Sequence, residues 1–199
     1  QEEFGITQTD VLSLRELIAQ IGDIQANRLL SGFSCPKDTD VENFLKTQAV
    51  IHEKSDISRT YLFWNGETAD KPENIRFFAY FTITQKVFSF SNTISTAQRR
   101  KLADLFFQED EVVGYLIGQI GKNQSIADNP VHMQDILAVV SDKVHMVFEQ
   151  IGGRFMFLDC KAANEKVCAL YKSNGFIPFQ DIVLDGKGVY HQMVNLLRS

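Results

Sequence analysis

The chain has 199 residues, of which 44% are hydrophobic and 11% aromatic, enough for one well-buried core and a small appendage. Its 25 acidic and 20 basic residues leave a net charge of -5, which argues against a generic nucleic-acid binder but leaves room for a local basic groove. No apolar run approaches the roughly 18 residues of a membrane span, and no signal-like segment is seen, so a cytoplasmic protein with no membrane partner is expected.

In chain order, Val11, Leu14, Leu17, Ile18 and Ile21 recur at helical spacing with Gly22 as a stop, which predicts a first helix added at the N-terminus. Residues 24–35 are ambiguous, with a short strand through Arg28 to Phe33 as one option. TDVE then forms a capping box with Thr39 as N-cap and Glu42 as its partner, opening a helix to about Glu53. TYLFW, residues 60–64, has strand composition, and NGETADKPEN is a turn-rich connection to a long aromatic strand over residues 76–90. Ser95 and Gln98 form a second capping box before a helix ending near Gln108.

Residues 112–121, VVGYLIGQIG, read as an apolar strand. A polar stretch leads to a long helix with an apolar stripe of Ile136, Leu137, Val140, Val144, Val147, Phe148 and Ile151, stopped by Gly152 and Gly153. RFMFLDC is a strand, NEKVCALYKSNGF a helix, and the remainder a hairpin around Asp185-Gly186. The order predicts one α/β or α+β domain with a mixed central sheet flanked by helices, parallel where strand-helix-strand units occur. Cys35, Cys160 and Cys168 are odd in number, with no C-x-x-C and no histidine at ligand spacing. They are expected to be small buried hydrophobes, with neither a disulfide scaffold nor a metal.

Tyr171 raises a chemical question. A helix that buries one face gains nothing from a hydroxyl that needs a partner, so the oxygen either stays wet or has a task. The pattern around it, Asn164, Tyr171, Gly175 and Phe176 at their spacing, resembles the last helix of the GNAT superfamily of N-acetyltransferases, with Val167 where that family usually has Ala. LDCKAAN is similar to the family's entry to this helix. Upstream, FSCPKDTDVENFLKTQAVIHEKSDISRTYLFW is similar to a pattern in a GNAT subset that includes tRNA-acetylating toxins, with only part of its middle element kept. The resemblance covers roughly residues 28–199 and leaves 1–27 as an N-terminal helical extension.

The resemblance implies acetyl-CoA as co-substrate, no metal, and a small-molecule or protein amine as acceptor, with room for a homodimer. It implies that two neighbouring strands, 112–122 and 154–160, splay so that the pantetheine arm pairs with backbone near Ile120, Gly121 and Lys122, where an N–H also meets the oxyanion. Asn164 would be a cofactor contact, and Tyr171 would protonate the leaving thiolate. The family's pyrophosphate signature, Q/R-x-x-G-x-G/A, falls on Asn129, Val131, His132, Met133 and Gln134, where this chain reads NPVHMQ and keeps no glycine. Pro130 suits a first helical position after an Asn129 cap. An active enzyme with a remodelled loop, an inactive GNAT-like binding module, and toxin-like acetylation of aminoacyl-tRNA all stay open. Asp110, Glu111, Tyr115, Gln119 and Asp159 lie on or beside the strands, and nothing in the sequence singles out a base. Arg99, Arg100 and Lys101 read as an exposed helix face.

Overall fold

The computed structural model describes residues 10–66 and 74–197; most of the connection expected at 65–74 lies outside them. Strand β1, Asp10–Ser13, pairs antiparallel with β2, Arg59–Trp64, so Val11 and Leu12 are extended rather than helical. The start of α1, Leu14–Leu30, is set by Ser13. Its Oγ accepts the Glu16 N–H at 3.1 Å and its own N–H meets the Glu16 carboxylate at 3.1 Å, a capping box that satisfies two otherwise orphaned donors. At Gly22, φ +78° and ψ 163°, the backbone leaves helical geometry, so the first helical run stops where expected and a second follows it within α1. Ala26 and Leu30 of that second run are fully buried, and the strand considered for 28–33 does not form.

Helix α2, Thr39–Asn43, is capped one residue earlier than expected. Asp38 Oδ1 accepts the Val41 N–H, while Glu42 receives the Cys35 N–H at 2.6 Å and Lys46 Nζ at 2.6 Å. A π-helical segment, Phe44–Gln48, joins it to α3, Ala49–Lys54. β3, Phe77–Ser89, is followed by α4, Thr96–Ala103, with the expected Ser95–Gln98 capping box. α4 stops before Gln108 because Asp104 takes φ +53° and turns into a 3-10 segment, its carboxylate 3.0 Å from Arg154 Nη1.

β4, Glu111–Lys122, α5, Met133–Ile151, and β5, Phe155–Lys161, form a strand-helix-strand unit whose strands pair in parallel. In the α5 stripe Ile136, Leu137, Val140, Val144 and Phe148 are buried, but Val147 and Ile151 are exposed at 37% and 64%. α6, Glu165–Ser173, precedes the hairpin of β6, Ile177–Leu184, and β7, Gly188–Leu196. Its turn holds Asp185 to Lys187 and uses positive φ at Gly186 and Gly188. The seven-stranded mixed sheet runs β1-β2-β3-β4-β5-β7-β6, with β7 returning between β5 and β6, antiparallel to both.

Backbone contacts divide the chain into two units: Gln1–Thr82 with Gln119–Ile136, and Ile83–Gly118 with Leu137–Ser199. The first packs Leu14, Leu17, Leu30, Phe33, Leu45, Leu62, Phe77 and Tyr80 into one cluster. The second is built on aromatics, with Phe88 edge-on to Phe90, Phe155, Phe157 and Phe179 at centroid separations of 5.1–5.8 Å. No helix among the described residues is long and apolar enough to cross a membrane.

Candidate active site

In the first unit, the end of β4 and the loop after it carry the residues aligned with cofactor binding. Ile120 and Lys122 are half-buried, and Gly121 is buried. A Cβ on Gly121 would lie 2.6 Å from Val41 Cγ1 and 2.7 Å from Tyr80 Cε1. The Tyr80 hydroxyl donates to the Val41 carbonyl at 2.5 Å, so a glycine is what lets β4 pass that ring. The loop is then fastened by two asparagines. Asn123, 5% exposed, donates to the Phe77 carbonyl at 2.9 Å and accepts the backbone N–H groups of Ser34 and Ser125. Asn129 Nδ2 donates to the carbonyls of Phe78 and Asn123, at 2.7 and 2.9 Å, and its Oδ1 accepts the Val131 N–H at 3.1 Å.

Asn129 is therefore a loop anchor and not the cap of α5, which begins at Met133. Pro130 accordingly lies outside the helix. The terminus is closed instead by Asp135, whose carboxylate accepts the His132 N–H at 2.7 Å. Val131 is a core residue, and His132 and Gln134 are exposed. Met133 and Gln134 open α5, where backbone N–H groups have no helical acceptor. Neither Asn123 nor Asp135 was identified as a candidate from the sequence. An acid three residues after a helix start was the available signal for Asp135. Cys35 is a free, buried thiol, its pKa raised first of all by burial.

In the second unit, β4 and β5 pair at Tyr115–Met156 and Leu116–Phe157. Cys160 and Cys168 are joined in a disulfide, with Cα atoms 6.1 Å apart. The expectation of three separate thiols fails because the end of β5 and the first turn of α6 bring these two within bridging reach.

Asn164 is exposed and caps α6, its Oδ1 accepting the Val167 N–H at 3.4 Å. Tyr171 is 8% exposed on the same helix, its ring 6.1 Å from that of Phe176. Gly175, at φ +86°, ends the helix, and the Phe176 N–H returns to the Tyr171 carbonyl at 3.1 Å. The Asn164–Phe176 pattern thus holds its tyrosine by a cap at one end and a left-handed stop at the other.

The remaining polar candidates divide clearly. Asp110 pairs with Arg99 at 3.0 Å, and Glu111 accepts the Ser89 hydroxyl at 3.0 Å. The Tyr115 hydroxyl donates to the Gly152 carbonyl, and burial raises its pKa. Gln119 is half-buried on β4. Asp159 accepts Gln192 Nε2 at 3.0 Å. It keeps solvent access, yet loss of water around its carboxyl raises its pKa against the opposing pulls of Gln192 and Lys86. Arg100 and Lys101 are exposed as expected, and Arg99 is half-buried. Arg99 and Arg100 also lie over the rings of Phe90 and Phe107, 5.1 and 4.1 Å from the centroids. No group of histidines, cysteines and carboxylates among the described residues is arranged to hold a metal ion.

No protein-family model matches the chain, and no curated protein does. Solved structures do. A tyrosine-to-phenylalanine variant of KacT superposes with a TM-score of 0.64 at 17% identity, over 96% of each chain. AtaT complexed with acetyl-methionyl-tRNAfMet gives 0.62 at 20% identity, over 92% of this chain and 94% of that one. AtaTR bound with acetyl-CoA gives 0.61 at 18% identity, over 96% and 94%. The chain has a GNAT-type fold.

Proposed function

We propose that residues 28–199 form an acetyltransferase domain, with 1–27 as an N-terminal extension, that moves the acetyl group of acetyl-CoA to an amine in the cytoplasm. The observation that supports this is Tyr171, buried on the helix that follows β5 and held between an asparagine cap and a left-handed glycine stop. Acetyl-CoA supplies a thioester. The amine attacks its carbonyl, the C–S bond breaks, and the Tyr171 hydroxyl gives its proton to the departing sulfur. Backbone groups at Ile120, Gly121 and Lys122 take the pantetheine arm as an added strand would, with an N–H among them for the oxyanion. The first-turn N–H groups of Met133 and Gln134, beside Asn129, Val131 and His132, take the pyrophosphate. Asn164 offers its exposed amide to the cofactor.

A second reading narrows the acceptor to the α-amine of an aminoacyl-tRNA. It is favoured by the fold likeness to AtaT, solved with acetyl-methionyl-tRNAfMet. Calorimetric titration with acetyl-CoA tests the first reading: absence of binding at millimolar concentration by folded protein leaves a GNAT-like interaction module. Expression in cells tests the second, since arrest of translation, abolished by Tyr171→Phe, is expected and unaffected growth rejects it. A tRNA acceptor also requires an apparent affinity that falls steeply with salt.

A further inference from the structure

Attack by an amine releases a proton that must go somewhere, and of the polar candidates on or beside β4 and β5 one group is suited to receive it. Asp110 is held as an ion pair by Arg99, and Glu111 is engaged by Ser89 at the start of β4, before the two β4–β5 rungs. Tyr115 commits its proton to Gly152, and Gln119 does not titrate. Resting on the acetyltransferase reading, we propose that Asp159 accepts the proton of the acceptor amine as it attacks, and that Gln192 and Gln180 hold the carboxylate for that step.

Position comes first. Asp159 lies two residues beyond Phe157, the last residue of β5 paired with β4. Successive strand side chains point to opposite faces. Cys160 is turned towards α6 by its bond to Cys168, so Asp159 points to the other face, the one on which Phe157 meets Phe88. Tyr171 follows Cys168 by three residues and shares its buried helix face. The proton donor for the sulfur and the acceptor for the amine proton thus approach β5 from opposite faces. Acyl transfer uses that separation, because nucleophile and leaving group occupy different sides of the tetrahedral carbon.

Orientation is fixed by a row of hydrogen bonds across three adjacent strands. The Ser91 N–H can only donate, and it meets Gln180 Oε1 at 2.9 Å, which sets the Gln180 amide. Gln180 Nε2 then donates to the Ser89 carbonyl at 2.8 Å and to Gln192 Oε1 at 2.7 Å. Gln192 consequently has only its Nε2 to offer Asp159, at 3.0 Å. Every amide in the row points its donor towards the carboxylate, and the partners are direct cross-strand neighbours. Among the described residues Gln192 is the one hydrogen-bond donor to Asp159, and Lys86 is the charged group that acts on it. One carboxylate oxygen is aimed by Gln192, and the side chain keeps its access to solvent. A row that only needed to satisfy its own amides would not require an ionisable group poorly supplied with donors. The upward pKa shift adds to its basicity, which is the direction a general base needs.

The atoms balance. The amine nitrogen bonds to the acetyl carbon, the C–S pair goes to sulfur, Tyr171 gives that sulfur a proton, and Asp159 takes one from nitrogen. Solvent then returns the Asp159 proton to the Tyr171 phenolate.

The test uses the full chain, acetyl-CoA, and two acceptor probes: methyl esters of amino acids, which carry an ester-linked α-amine, and a pool of charged tRNA. Asp159→Asn is expected to lower kcat for thiol release by about 10²- to 10⁴-fold, with the dissociation constant for acetyl-CoA unchanged. Asp159→Glu should recover part of the loss. Gln192→Met removes a bond that lowers the Asp159 pKa, so the acidic limb of the pH–rate profile should move to higher pH, which a purely structural glutamine would not cause. Wild-type turnover with Asp159→Asn within threefold of it, or with an unmoved limb in Gln192→Met, overturns the assignment and leaves the acetyltransferase reading standing. Wild-type protein that binds acetyl-CoA but releases no thiol with either probe, or does not bind it, removes that reading and this assignment together.

Discussion

Asp135 offers a perturbation whose two effects have opposite signs. Its carboxylate takes the His132 N–H at 2.7 Å at the N-terminus of α5, where the proposed pyrophosphate would also sit. A carboxylate in a first helical turn stabilises by about 0.5–1 kcal/mol through the helix dipole and the capped donor. Asp135→Ala should therefore lower the melting temperature by about 2–4 °C, given the size of the chain. The same change frees an N–H and removes a negative charge a few ångströms from an arriving dianion, a relief of about 1 kcal/mol at an exposed site, or roughly fivefold in affinity. Calorimetry with acetyl-CoA and with S-acetylpantetheine, which lacks the pyrophosphate, separates the terms: only the first ligand should tighten. His132→Gly combined with Gln134→Gly leaves the carboxylate in place and should gain less. Tightening of both ligands, or of neither while stability falls as expected, would show that the pyrophosphate does not use this helix terminus.

Tyr171→Phe should leave acetyl-CoA affinity nearly unchanged and lower kcat by about 10²- to 10⁴-fold; preserved turnover with a lowered melting temperature would make the hydroxyl a packing group. Glu53 is 3% exposed, accepts the Thr60 N–H at 3.0 Å, and has Arg59 at 3.2 Å and Arg15 at 3.7 Å, yet burial raises its pKa from 4.5. Stability contributed by its neutral form is present below pH 4.5 and lost as pH rises through the raised folded-state value. The melting temperature of Glu53→Gln minus that of wild type should accordingly increase with pH, and a flat difference refutes this. Opening the Cys160–Cys168 bond, which closes a short loop, with dithiothreitol should cost about 2–3 kcal/mol, read as a lower melting temperature in wild type but not in Cys160→Ser.

The element order was legible because most of it is written in short-range chemistry. The Ser95–Gln98 box, the α5 glycine stop and the Asn164–Gly175 frame each fix an end with local donors and acceptors. Failures occurred where a distant partner decided. Gly22 is the stop it looks like, but a second helical run follows at once, because Ala26 and Leu30 have distant residues to bury against. Thr39 and Asp38 are both competent caps, and Glu42 settled the choice by turning to Cys35 and Lys46. The disulfide was missed because a spacing of eight residues has no meaning until a strand end and a helix start are placed side by side. Arg100 is exposed as expected, but the rings of Phe90 and Phe107 beneath Arg99 and Arg100 are brought there by the fold and could not be read locally. Asp159 was visible as a candidate but not as a choice. Gln180 and Gln192, which orient it, come 21 and 33 positions later in the chain, two strands and one strand away in the sheet.

The glycine-free loop before α5 follows from the same logic. A glycine signature works by leaving backbone N–H groups bare for an anion. This chain occupies two of those groups with its own side chains, and the two occupants differ in how firmly they hold. Asn129 binds Val131 while also bridging the carbonyls of Phe78 and Asn123, so releasing it would unfasten the end of the sheet. Asp135 makes one bond, from an exposed position, to the terminus of α5. On the proposed function, an arriving pyrophosphate would displace the second and not the first. Cofactor binding would then be a competition between two anions for the His132 N–H, and its outcome would separate an enzyme with a self-occupied phosphate site from a module whose site is permanently closed.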